Sequence, residues 1–348
     1  MFFFATNPSV WGLGIITSLL KPGKPHDQPS SLRGIRLLSR LSAWMGQILD
    51  RRLRTLWSAG PEQFGFRVGV GCLEAVFALW TLMQSRLNQR KRLFVAFIDL
   101  RTAFPSLCRP ILIQRLFQCG ASLGLCRLLL SMFDVTVSIV RIGAWFGAPF
   151  TDKLGVREGA VESPHLFNMY IGELRTRLET LHPSLCKLLH ITIVILLYAD
   201  DAALPADSLE DLQLSLNIFV DFCNEMHLYV ATAKTFLVVF HNDDDEGVVY
   251  NNGHVYVDGQ MAKLMVYGDQ IKATDSFKYL GMMLHASGTL DCHADSRISA
   301  FTRATNFVLI GLSKIPGFSH AFLKSLWRSL IEPVGLYGME LCEGRTGL

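Results

Sequence analysis

Several absences narrow the field for this 348-residue chain. It has no C-x-x-C pair: its eight cysteines, at 72, 108, 119, 126, 186, 223, 292 and 342, follow no regular spacing. That argues against a zinc site or a disulfide framework and predicts buried thiols in a reducing, intracellular compartment, nuclear or cytoplasmic. Charged residues are few, at 18% against 50% apolar, which excludes a disordered chain. No internal repeat is visible. No apolar run is long enough to span a bilayer: Ile191 to Leu197 is far too short. The uncharged first 20 residues are interrupted by Asn7, Pro8, Gly12 and Gly14, with no basic residue ahead of them. Neither a leader nor a membrane partner is expected.

What is present is an uneven charge. Residues 1–92 carry 13 Lys/Arg against 4 Asp/Glu, whereas residues 93–348 carry 20 against 26. A basic first quarter before a mildly acidic body suits a polyanion-binding arm beside a carboxylate-bearing centre. A solvated helix face around Arg51-Arg52-Leu53-Arg54 would give the same imbalance.

Apolar spacing predicts helices over Leu37–Leu56, Leu73–Leu87, Pro110–Gln118, Leu166–Leu181 and Leu209–Met226, and from Asp295 onward. Ser163-Pro164 reads as an N-cap followed by proline at the first helical position. Strands are predicted at Leu93–Ile98, Val135–Ile142, Ile191–Leu197, Ala202–Leu204, Phe236–Phe240 and Phe277–Leu284. Loops are predicted at Lys21–Ser31, Gly65–Gly71 and Asn242–Gly253.

Two of the apolar runs end in acid. Leu93–Ile98 runs into Asp99, and Ile191–Leu197 runs through Tyr198-Ala199 into Asp200-Asp201 at the tip of an expected hairpin. If those strands are neighbours, three carboxyls meet at one sheet edge and need counter-cations. Magnesium favours such hard oxygen ligands, and two ions roughly 3.5–4 Å apart suit phosphoryl transfer. Asp200-Asp201 alone is also ordinary turn chemistry.

The surrounding residues resemble a family. Phe97-Ile-Asp99-Leu-Arg-Thr-Ala103-Phe104 is similar to the F-x-D-x-x-x-A-F motif of reverse transcriptases, and Tyr198-Ala-Asp-Asp201 to their Y-x-D-D box. Gly155-Val-Arg-Glu-Gly159, with Ser163-Pro164-His-Leu-Phe167-Asn168, resembles G-V-R-Q-G-x-x-x-S-P-x-L-F-N. Lys21-Pro-Gly-Lys24, Ser31 to Ser39, Glu62-Gln63-Phe64-Gly65-Phe66-Arg67, Thr232-Ala-Lys234-Thr235, Tyr279-Leu280-Gly281 and Ile331 to Gly338 extend the likeness to the LINE-type (non-LTR) retroelement class. Matches run from about Trp11 to Gly338.

This resemblance implies an α+β right-hand polymerase: fingers over 1–92, a palm with an inserted fingers segment over 93–285, and a partial helical thumb over 286–348. The palm would be an antiparallel sheet backed by helices. The implied activity is RNA-directed DNA polymerisation, extending a DNA or RNA primer with dNTPs on an RNA template through two Mg²⁺, or Mn²⁺ in their place. Asp99, Asp200 and Asp201 would hold the metals with the Leu100 carbonyl. Lys234 would be the general acid, though it also reads as a surface lysine. Lys21, Lys24 and Arg33 would bind the triphosphate. Phe104 would exclude the 2′-OH, although it is one of 23 Phe and equally readable as a core ring. Gly155, Gly159, Ser163 and Pro164 would floor the template base, with Tyr198 beside the substrate. Tyr279, Leu280 and Gly281 would grip the primer.

Glu158 departs from the family's Gln. A carboxylate only accepts hydrogen bonds, where an amide also donates. Glu162, at a usually apolar position, is expected to add a second negative charge to the loop, so weakened activity is expected. No endonuclease precedes the motifs and no Cys/His knuckle follows, so domains missing from this chain are expected as partners. The alternative is a catalytically degraded, nucleic-acid-binding fragment of a retroelement. A maturase-like protein would share the palm motifs, but no basic maturase domain is seen.

Overall fold

The computed structural model describes residues 8, 11–21, 25, 27–28, 31–313 and 317–341. A first sheet opens the chain: β1 (Leu13–Leu20) pairs antiparallel with β2 (Leu32–Leu38), with Leu19 opposite Arg33. The uncharged start is therefore partly a strand, and the residues assigned to a helix from Leu37 belong first to β2. Ser39 divides the two: its side chain accepts from the Ser42 amide and caps α1 (Arg40–Leu56). Helix α2 (Cys72–Asn88) then leads into β3 (Leu93–Ile98).

Helices α3 (Arg109–Gln118) and α4 (Leu123–Asp134) follow, and β4 (Val137–Ile142) returns to lie parallel to β1 in the first sheet. The stretch foreseen as one helix from Leu166 is two, α5 (Ser163–Ile171) and α6 (Leu174–Leu181), because the chain bends at Gly172-Glu173. Ser163 does not cap. Glu162 holds that position, and the Ser163 hydroxyl donates to the Arg157 carbonyl at 2.7 Å, closing the preceding loop.

The central sheet completes the core. Strands β5 (Leu196–Tyr198) and β6 (Asp201–Ala206) form a hairpin; β6 pairs with β3, and β3 with β7 (Phe236–Phe240), all antiparallel. The edge strand β8 (Lys272–Ala273) runs parallel to β7, a departure from a wholly antiparallel sheet. Of the apolar run from Ile191, only its first two residues and its end are strand: Ile191–Thr192 pairs with Lys187–Leu188. Helix α7 (Leu209–Glu225) covers one face. Residues 248–261, half assigned to a loop, form a three-stranded sheet. The predicted strand from Phe277 is a hairpin, β9 (Ser276–Tyr279) and β10 (Met282–His285), ahead of α8 (Asp291–Leu312).

Alternation explains why every residue of β3 is buried. Phe94, Ala96 and Ile98 face α3, α5 and α7, whereas Leu93, Val95 and Phe97 face α2 and the β9–β10 hairpin. A sheet covered on both faces reads as a continuous apolar run, and each large side chain so buried contributes about 1.5–3 kcal/mol. The thiols are less uniform than expected: Cys126, Cys186 and Cys223 are buried, Cys72, Cys108 and Cys119 half-buried, and Cys292 exposed; Cys342 lies outside the described residues. All seven described thiols are free.

Candidate active site

Strand β3 leaves its apolar cover at Asp99. Because Ile98 pairs with Ala202 and Tyr198 with Asp201, Asp99, Asp200 and Asp201 fall at one edge of the central sheet. The Asp99 carbonyl accepts from the Ala231 amide at 2.8 Å, and Leu100 forms an antiparallel bridge to Val230. Lys234, from a 3-10 turn at Thr232–Lys234, donates its Nζ to Asp99 Oδ2 at 2.8 Å. Asp99, Asp201 and Lys234 line a cavity of about 180 Å³ with Phe277, Tyr279 and Leu280. Asp200 borders a smaller apolar hollow with Leu100, Phe219 and Leu228.

These acids are short of positive charge. Asp201 is pushed up to about 6, first by loss of water and then by Asp200 and Asp99, against the opposing pull of Lys234. Its side chain is exposed at the tip, so the neighbouring carboxyls matter there as well as desolvation. Asp200 is raised too, through burial and Asp99, with a backbone hydrogen bond and Lys234 opposing.

The turn that presents Asp200 is strained. Ala199 sits at φ 58°, a left-handed conformation costing on the order of 1–2 kcal/mol outside glycine. Gln63 holds it: its side-chain oxygen accepts the Ala199 amide at 3.0 Å and the Gly65 amide at 2.8 Å. Leu197 and residues 62–64 exchange backbone hydrogen bonds of 2.8 Å on either side. Sequence reasoning quoted Gln63 inside a motif and gave it no role; its signal is only that motif. The neighbouring Cys72 thiol and burial push the Tyr198 hydroxyl up to about 12.

The loop from Gly155 packs directly on the turn after β3. Val156 donates to the Phe104 carbonyl at 3.1 Å, and a Cβ on Gly155 (φ 76°) would lie 2.6 Å from Pro105. Phe104 is half-buried, stacked on Phe167 with centroids 5.0 Å apart. Gly159 approaches the Arg36 backbone from the other side.

Glu158 is exposed at the mouth of a separate cleft of about 460 Å³ that also holds Arg36, Arg109 and Asp152. Burial against its walls raises the carboxyl; Arg36 opposes and Asp152 adds to the rise. Arg36 bonds Ser138 and, at 2.6 Å, Asp152. The expectation for Glu162 fails: it is 3% exposed and bonds Arg157 at 2.7 Å, so its charge is neutralised inside the protein.

Arg33 is exposed on β2 near the hairpin end, where Lys21 donates its amide to the Ser31 carbonyl. Lys24 lies outside the described residues. Neither Lys21 nor Arg33 lines the acidic cavity. Tyr279 is buried, and Leu280 and Gly281 form the two-residue turn of the β9–β10 hairpin with φ of 46° and 88°.

Among the described residues, no group of three or more His, Cys, Asp or Glu side chains forms a metal cage by itself. A Mg²⁺ ion that keeps water and takes substrate oxygens needs only one or two carboxylates. The raised, mutually repelling acids fit such a cation. Among the described residues no helix is long and apolar enough to cross a membrane.

A mixed sheet between helices, with carboxyls at one edge, is the right-hand polymerase fold. The profile described as reverse transcriptase (RNA-dependent DNA polymerase) matches residues 20–284, and the chain belongs to that family, whose members use divalent metal ions. It is 26% identical, over 77% of its length, to a probable RNA-directed DNA polymerase from transposon BS of Drosophila melanogaster, covering 31% of that protein. It is 24% identical, over 76% of its length, to the Pol polyprotein from type-2 retrotransposable element R2DM of the same species, covering 24% of it. To the RNA-directed DNA polymerase from mobile element jockey it is 22% identical over 96% of its length, covering 35%. These are non-LTR retroelement proteins, and the chain spans about a quarter to a third of each. Among solved structures, the telomerase from Candida albicans in complex with a fragment of telomeric RNA superposes with TM-score 0.52 at 14% identity. It covers 96% of this chain and 60% of that one.

Proposed function

We propose that this chain is an RNA-directed DNA polymerase that extends a primer 3′-OH with dNTPs on an RNA template by two-metal nucleotidyl transfer. The observation that carries it is the meeting of Asp99, Asp200 and Asp201 at one sheet edge with too little positive charge around them. In this reading residues 1–92 are fingers, 93–285 palm and 286–348 thumb. Two Mg²⁺, or Mn²⁺, held by the three aspartates and the Leu100 carbonyl would activate the primer hydroxyl and neutralise phosphate charge.

The primer 3′-oxygen forms a bond to the α-phosphorus as the bond to pyrophosphate breaks. The hydroxyl proton leaves to solvent, and the Lys234 ammonium gives a proton to the departing pyrophosphate. Lys21, Lys24 and Arg33 bind the triphosphate, and Phe104 meets the sugar where a 2′-OH would stand. Glu158, Gly159, Ser163, Pro164 and Tyr198 line the nascent pair, and Tyr279, Leu280 and Gly281 hold the primer end. Seven free thiols agree with a reducing intracellular compartment.

The test is primer extension on RNA and DNA templates with Mg²⁺, comparing the parent with Asp200→Asn. The expected loss is roughly a thousandfold, equivalent to about 4 kcal/mol. Equal extension by both proteins refutes the assignment of this site. A parent that binds primed RNA without extending it refutes the polymerase reading in favour of a degraded binding fragment.

A further inference from the structure

The segment Tyr337-Gly338 lies far along the chain from the catalytic turn, yet it closes on the β9–β10 hairpin, whose Tyr279 and Leu280 line the acidic cavity. Its Tyr337 hydroxyl donates to the Leu280 carbonyl at 2.6 Å, in the turn of β9–β10. Its own carbonyl lies 2.9 Å from His293 Nε2, and the Met283 amide donates to Nδ1 of the same ring at 3.3 Å. One neutral tautomer, with the proton on Nε2, satisfies both bonds, and His293 is fully buried. A Cβ on Gly281 would come within 3.1 Å of the Tyr337 ring, so the turn rests against that ring.

We infer that Tyr337 is a positioning residue, fixing the β9–β10 turn at the wall of the acidic cavity so that the primer end is presented to the carboxylates. The primer part rests on the polymerase reading above; the mechanical restraint does not. The strands of this hairpin are held by the core, with Phe97 against Phe277 and Tyr279, whereas its tip at Leu280-Gly281 has left-handed backbone at both residues. A phenol that donates to the Leu280 carbonyl restrains the tip itself.

Hydrogen exchange on the intact chain separates the two claims. Tyr337→Phe keeps the ring and removes the donor; amides over 276–285 should exchange roughly tenfold faster, with α7 unchanged. Unchanged exchange in Tyr337→Phe, or an equal rise throughout the protein, overturns the restraint. In primer extension, Tyr337→Phe should raise the KM for primer–template several-fold and leave the KM for dNTP as it was; an equal rise in both overturns the positioning of the primer. Failure of the parent to extend speaks against the polymerase reading alone, since the exchange result stands without turnover.

Discussion

Strand β3 has opposite electrostatics at its two ends. Before Leu93, Arg92 sits between Asp245 and Asp258, at 2.6 and 2.7 Å, and both carboxyls are held below their usual range by its hydrogen bonds. After Ile98, Asp99 meets Asp200 and Asp201 with Lys234 opposing all three, and the last two carboxyls are raised. In the first cluster one guanidinium faces two carboxylates, yet both are hydrogen-bonded to it and lowered. The second is under-neutralised, and a fold keeps such an arrangement where something else is to bind.

The sharpest way to break this contrast is to remove one acid at each end. Asp200→Asn carries the thousandfold loss already stated, whereas Asp245→Asn should change primer extension less than twofold; comparable losses would erase the distinction. The next effect is at the turn. Gln63→Leu leaves the Ala199 amide buried without its acceptor, which costs about 1–3 kcal/mol, so kcat should fall roughly 10- to 100-fold with the KM for dNTP little changed. Wild-type kcat in that variant would mean the strained turn holds itself.

A smaller gain is expected from Glu158→Gln, which supplies a donor and removes a raised carboxyl from the position proposed to line the nascent pair. Extension on primed RNA should quicken by roughly 2- to 5-fold, on the order of 1 kcal/mol or less. Equal or slower extension refutes the lesion at Glu158.

The smallest effect is on stability, and its sign differs between the ends. Asp201 has a folded value of about 6 against an ordinary 3.8, so the folded state binds more protons between those values. Metal-free protein should therefore lose stability as pH rises from about 4 to about 6, and Mg²⁺ at pH 7 should return a few degrees of Tm. Asp201→Asn should flatten that slope. Asp245 and Asp258 act the other way: their lowered values stabilise the fold above about pH 4, and this is lost as acid protonates them. Thermal scans of the parent, Asp201→Asn and Asp245→Asn from pH 3 to 7 read both slopes; a Tm independent of pH between 4 and 6 in the parent would sink the assignment to Asp201.

By itself the sequence determined the family, the buried strands at Leu93–Ile98 and Phe236–Phe240, and the acids that end two apolar runs. Those features are local: continuous apolar residues bounded by charge, and short motifs in a set order. Tertiary structure alone decided the partners. The register of Ile98 with Ala202 puts Asp99 beside Asp201, the fold brings Gln63 under Ala199 and Tyr337 over Leu280, and burial beside Arg157 withdraws Glu162 from the site. Each of those contacts joins residues 5 to 136 positions apart whose spacing carries no trace of their meeting, because burial, and the loss of water that makes a hydrogen bond or ion pair decisive, exists only once the chain has folded.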